Sequence, residues 1–155
     1  MPGMEPSERV PDALGAVVAA FRSAPASLRL ELLLEYARSV PPLPSDLRDD
    51  PGRLERVHEC QTPFFVASDL EGSGRDAVVR LFFDAPEEAP TTRGFAGILH
   101  AGLDGQGVAE VLATRDDFYL ELGLAELISP LRLRGMAAIL ARVKRQVATA
   151  ADAGS

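Results

Sequence analysis

The chain contains a single cysteine, Cys60, in the run Val57-His58-Glu59-Cys60-Gln61-Thr62-Pro63-Phe64-Phe65-Val66. A thiol combines strong nucleophilicity with reversible sulfur chemistry, and its reactive form is the thiolate. A lone cysteine is also commonly a small buried hydrophobe. Its neighbours here favour a working thiol. Glu59, Gln61 and Thr62 are polar, and Pro63 falls at the first position of a strand, where proline is tolerated. The pattern predicts Cys60 at a loop end with access to solvent or to a partner. The local charges oppose one another: Glu59 would raise the thiol pKa by like-charge repulsion, and a protonated His58 would lower it. One cysteine allows no internal disulfide and supplies no resolving thiol.

A second candidate lies far along the chain. Ser129-Pro130 is a strong helix start, a cap residue followed by proline at the first helical position. Arg132 and Arg134 then fall in the first turn, where the helix dipole favours anions. Each can simply extend into water. The functional alternative is that Arg132 and the free amides form a receptor for an anionic sulfur. Arg142 and Arg145 read instead as cations near the C-terminal end of this helix, where the dipole suits them.

Several classes are excluded. Two His and one Cys are too few for a convincing zinc site. No glycine-rich loop leads into Lys-Ser/Thr, and no nucleophile elbow surrounds a serine. A net charge of −7 without tryptophan argues against nucleic acid. The apolar stretches are too short to span a membrane, and Met1–Pro11, with Glu5 and Glu8, is not a secretory leader. The cytoplasm is the expected location.

Periodicity supplies the elements that must position these residues. An N-terminal tail over 1–10 is expected to be disordered, followed by one domain over 11–148 and a frayed tail over 149–155. Asp12 is expected to cap a helix with Leu14, Val17, Val18 and Phe21 on one face. Ser27 is expected to cap a broadly apolar core helix ending at Pro41-Pro42-Leu43-Pro44. Ser45–Arg56 reads as polar turns. Phe64–Ala67 and Asp76–Asp84 form an antiparallel hairpin over about 63–84, with Val78 and Phe82 marking a second, partly covered face. A helix capped by Thr91 carries Gly94, Gly97 and Ala101 on one face, which predicts close approach of another backbone. Short helices follow at Val108–Ala113 and Asp117–Leu122. The last helix runs to about Val147 along Leu133, Met136, Leu140, Val143 and Val147. The fold class is α+β, a small antiparallel sheet flanked by helices.

The ordered series Leu-Leu-Glu-Tyr, Pro-Pro-Leu-Pro, Cys-Gln-Thr, Thr-Arg-Gly, Leu-Gly-Leu and Ser-Pro-x-Arg-x-x-Gly-Met resembles the SufE-type sulfur-acceptor (cysteine desulfuration) family over about residues 28–147. The resemblance implies a SufE-like α+β fold. It also implies a sulfur-transfer accessory protein that activates a cysteine desulfurase, rather than a stand-alone enzyme. Cys60 then matches the acceptor cysteine, which takes a sulfane sulfur as a persulfide. Gln61 and Thr62 match the residues after it, and Arg132 matches the arginine near the active cysteine. Gln61 and His58 join Arg132 in the expected shell around the thiolate. Arg93 and Gly94 match the pair opening the helix after the hairpin and, with Glu59, are partner-binding candidates.

Implied partners are a SufS-like cysteine desulfurase and an iron–sulfur scaffold complex as sulfur recipient. No cofactor is expected in this chain, because the pyridoxal phosphate that cleaves the carbon–sulfur bond belongs to the desulfurase. A persulfide without a resolving thiol would need shielding, for which Phe64, Leu124 and Leu127 are candidate lining. Glu59 stands where the family usually has glycine, and Pro63-Phe64-Phe65 replaces a Gln-Val-Trp-like run. These departures support an alternative, a non-catalytic module of the same fold that binds or regulates a desulfurase. A weaker one is a peroxide-reactive thiol giving a sulfenic acid.

Overall fold

The computed structural model describes residues 10–153, with Arg75 described in its backbone only. The tail expected over 1–10 therefore lies outside the described residues, except Val10, which packs partly buried on the core.

Helix α1 (Asp12–Ser23) buries Leu14, Val17, Val18 and Phe21, the seam that its spacing predicts. Helix α2 (Ala26–Arg38) follows almost at once. The side-chain caps expected from Asp12, Ser27 and Thr91 do not form. Pro11 and Pro25 occupy the cap positions, and Ala89 precedes Pro90 at the start of α4 (Pro90–Leu103). Asp12, Ser27 and Thr91 consequently lie inside the first turn. Proline fixes φ near the helical value, so it can launch a helix without a side-chain hydrogen bond.

Helix α2 is less buried than its composition suggests. Leu33 and Ala37 are buried, but Leu28, Leu30 and Leu34 are 47%, 42% and 37% exposed. The covered side of α2 faces chiefly α4, with Tyr36 also stacked on Phe21 of α1, and the approach to α4 is very close. A Cβ at Gly97 would lie 2.0 Å from the Tyr36 carbonyl oxygen, and one at Gly94 would lie 2.5 Å from Leu33 Cδ1. The glycines expected to admit another backbone do so, and that backbone belongs to α2.

The sheet has three antiparallel strands in the order β1 (Glu55–Arg56), β2 (Phe65–Glu71), β3 (Val78–Asp84). The expected hairpin pairs Phe65 with Asp84 and Glu71 with Val78. β3 buries Val79, Leu81 and Phe83, while Val78 and Phe82 are partly covered. The Ser45–Arg56 segment holds a short helix α3 (Ser45–Arg48), a 3₁₀ turn at Pro51–Arg53 and β1. β1 pairs Glu55 with Val66 and Arg56 with Phe65. Two residues are too few to show a period.

Helix α5 (Val108–Ala113) and a 3₁₀ turn at Phe118–Leu122 lead to Gly123, which takes the left-handed conformation. Helix α6 (Pro130–Ala153) then packs along β2 and over the cysteine turn. It extends beyond Val147 through most of the expected C-terminal tail, and Ala151 is buried. That extension changes the meaning of Arg142 and Arg145, which now sit mid-helix rather than at its end.

Candidate functional site

Cys60 closes a single 3₁₀ turn, His58–Cys60, in the loop joining β1 to β2. The loop ends are fixed in the core: Val57 and Phe64 are fully buried, and the Val57 amide donates to the Phe64 carbonyl at 2.9 Å. Within the loop, the Cys60 amide donates to the Val57 carbonyl and the Gln61 amide to the His58 carbonyl, both at 3.2 Å. Gln61 then takes φ 61°, and it is the one non-glycine residue with positive φ among the described residues. Glu59 is therefore not in the left-handed region. The strain falls two residues later.

The expected access of the thiol is not observed. Cys60 is 7% exposed because α6 lies over it, with Sγ 3.9 Å from the Gly135 carbonyl oxygen, the range of a weak S–H···O contact. The turn packs directly on the helix at Gly135, where an added Cβ would make ordinary contacts of 3.4 Å to Sγ and 3.7 Å to Cys60 Cα. Burial, then the negative charge of Glu59, push the thiol pKa up to about 12, and Arg142 opposes them. Burial thus favours the neutral thiol over the thiolate.

The opposing cation is thus Arg142. It lies two turns beyond Gly135 and grips Glu59 through two hydrogen bonds of 2.9 and 3.3 Å. Its Nε also pairs with Glu55 at 3.3 Å. Glu55 further accepts from Arg145 and, at 2.9 Å, from Gln146, whose amide oxygen accepts from Ser68 at 2.7 Å. These contacts hold the carboxyl of Glu55 below its usual pKa, the Arg145 hydrogen bond contributing most. The Glu59 carboxyl is lowered too, first by its own backbone amide and then by Arg142.

Arg132 is placed differently. It lies three residues before Gly135, on the same side of α6, with an exposed side chain that makes no hydrogen bond or ion pair among the described residues. Its amide donates to the Ser129 hydroxyl at 3.3 Å, which forms the expected cap. His58 and Gln61 are exposed beside Cys60.

Arg93 and Gly94 are not part of this grouping. Arg93 donates to the carbonyls of Ala37 and Ala85, tying α2 to the loop before α4, and Gly94 is buried against Leu33. A buried glycine offers no surface to a partner. Phe64 and Leu124 are core residues, whereas Leu127 is partly exposed. Among the described residues, no cluster of three His, Cys, Asp or Glu side chains could hold a metal ion.

Thr62 Oγ1 is buried without a hydrogen-bond partner among the described residues. An unsatisfied buried hydroxyl costs about 1–3 kcal/mol. Thr62→Val should therefore stabilise the protein by about 1 kcal/mol, read as a Tm rise of about 2–4 °C. A lowered Tm would mean that the hydroxyl has a partner in solution.

Comparison with known proteins places the chain in a family. Residues 15–147 match the family model described as SufE, the Fe-S metabolism associated domain. The chain belongs to the SufE family. An uncharacterised SufE-like protein of Mycobacterium tuberculosis is 54% identical over 138 residues, covering 89% of this chain and 93% of that one. SufE-like protein 1 of Arabidopsis thaliana, chloroplastic/mitochondrial, is 27% identical over 144 residues, 92% of this chain but 37% of that protein. The solution structure of a hypothetical protein from Thermus thermophilus superposes with a TM-score of 0.77 at 49% identity, covering 91% of this chain and 97% of that one. The SufE region of the present chain contains Cys60, Arg132, Gly135 and Arg142. Cys60 and Arg132 stand out in the sequence as candidates. Arg142 reads there as a cation at the end of a helix that in fact runs on to Ala153, and Gly135 enters only as part of the Ser-Pro-x-Arg-x-x-Gly-Met series.

Proposed function

We propose that this SufE-family protein is a sulfur acceptor, taking a sulfane sulfur from a cysteine desulfurase as a persulfide on Cys60 and passing it to iron–sulfur cluster assembly. The observation that carries this reading is the placement of the sole thiol. Cys60 sits on one short turn between exposed His58, Glu59 and Gln61, and α6 covers it. Displacing that turn alone would bring the sulfur to the surface while Val57 and Phe64 stay in the core.

In the transfer step the Cys60 thiol loses its proton to water or to a partner base. The thiolate attacks the terminal sulfur of the partner's persulfide. A sulfur–sulfur bond forms to Cys60 Sγ, the partner's own sulfur–sulfur bond breaks, and the partner's cysteine leaves as a thiolate. The exchange is redox-neutral and needs no cofactor in this chain. Arg132, exposed and on the Gly135 side of α6, would meet the anionic sulfur in the opened state. When the turn closes again, the same burial that protects the resting thiol would shield the persulfide.

The test is intact mass after incubation with a cysteine desulfurase and cysteine. The expected outcome is reductant-reversible addition of sulfur to the wild type and none to Cys60→Ala. Wild type that stays unmodified yet alters desulfurase turnover would favour the binding or regulatory module instead.

A further inference from the structure

We infer that Arg142 is a clasp that keeps the Cys60 turn shut by gripping Glu55 and Glu59, the carboxylates on either side of the turn's entry. Its use in sulfur transfer rests on the acceptor reading above, but the clasp itself is a property of the isolated protein. The closed turn is held against two local penalties. Gln61 takes a left-handed conformation disfavoured for a side-chain-bearing residue, and the Thr62 hydroxyl is buried with no hydrogen-bond partner among the described residues. Among the described residues, residues 58–62 reach α6 through just two polar links. One is the 3.9 Å contact from Cys60 Sγ to the Gly135 carbonyl, too long to hold much. The other is the two-pronged Glu59–Arg142 pair.

The arrangement also provides for release. Glu55 is fixed by Arg145 and Gln146 as well as by Arg142. When Glu59 lets go, Arg142 keeps a carboxylate partner and stays in place rather than being left bare. Its positive charge is then shared with one carboxylate fewer. Glu59 is exposed, so anything that competes for it or screens it, including salt or a cationic side chain on a partner, shifts the turn toward opening.

The test uses the rate of Cys60 alkylation by iodoacetamide in the isolated protein, with no desulfurase present, comparing wild type, Glu59→Ala and Arg142→Gln at one pH. A clasp predicts that both variants react faster, by about two- to fivefold for the loss of one exposed ion pair. A purely electrostatic role predicts opposite signs, because removing Glu59 favours the thiolate and removing Arg142 disfavours it. Faster reaction of Glu59→Ala with slower reaction of Arg142→Gln would overturn the inference, as would unchanged rates in both. Amide hydrogen exchange at Gln61, which does not depend on thiol ionisation, should accelerate in Glu59→Ala even if Arg142→Gln folds poorly. Unchanged exchange there would also overturn the clasp. Failure of persulfide formation in the desulfurase experiment would leave these rates untouched.

Discussion

Wild-type protein will lose about 2–3 kcal/mol of stability between about pH 8 and about pH 11 that Cys60→Ala retains. The sign follows from the direction of the shift. The folded-state thiol pKa lies at about 12, above its ordinary value of 9.0. Below about pH 8 the thiol is neutral whether folded or unfolded, so its contribution is fully present. As the pH passes through the unfolded value, the unfolded chain ionises while the buried thiol does not. Stability then falls by about 1.4 kcal/mol per pH unit until the folded pKa is reached. Urea unfolding of both proteins across this range is the measurement. Only the difference in pH slope matters, since the truncation itself removes some packing. A turn that opens locally lets the thiolate form without global unfolding and so caps the loss. The plateau value is then the free energy of opening that turn, a quantity central to any sulfur-transfer role. Parallel slopes for the two proteins would show that the thiol is solvated at rest.

Gly97→Ala will destabilise the protein by about 3 kcal/mol, lowering Tm by about 6–12 °C, although alanine is the better helix former. The added methyl would sit 2.0 Å from the Tyr36 carbonyl oxygen and 2.5 Å from its carbon. Those are backbone atoms that no rotamer change can move. Helices α2 and α4 must separate, and Arg93, which bonds the Ala37 carbonyl, would be pulled from its partners. Gly15→Ala in α1 is the control. There the new methyl meets only Val10 Cγ2 at 3.8 Å, so helix propensity should win by up to about 1 kcal/mol. Thermal melts of the two variants should move in opposite directions. A mild effect at Gly97 would imply that α2 rides loosely on α4.

Long periodic segments were legible in the sequence because their burial is repeated. The seams of α1 and α6 and the alternation of β3 each rest on four or so apolar positions that agree. The face of α2 was misjudged because leucines crowd both sides of that helix, and composition does not say which side finds a partner. Helix starts were displaced because a preceding proline set the geometry where a polar cap was expected. At the site, Cys60 stood out as a residue type, and Arg132 as a charge at an unfavourable helix position. Arg142 carried no local signal. Its importance comes from Glu55 and Glu59, far off in sequence, and only the packing of α6 along β2 brings the three together.

That packing sets an order of events when the protein is made. The partners that close the cysteine turn, Gly135 and Arg142, follow it by 75 and 83 residues. A chain leaving the ribosome can complete β1, the thiol-bearing loop, β2 and β3 long before their cover exists. During that interval the sulfur is ordinary, accessible and oxidisable, and a bare apolar sheet face accompanies it. Protection of Cys60 is therefore acquired late, when α6 docks, and a protein arrested before that step would display the reactivity that the finished one suppresses.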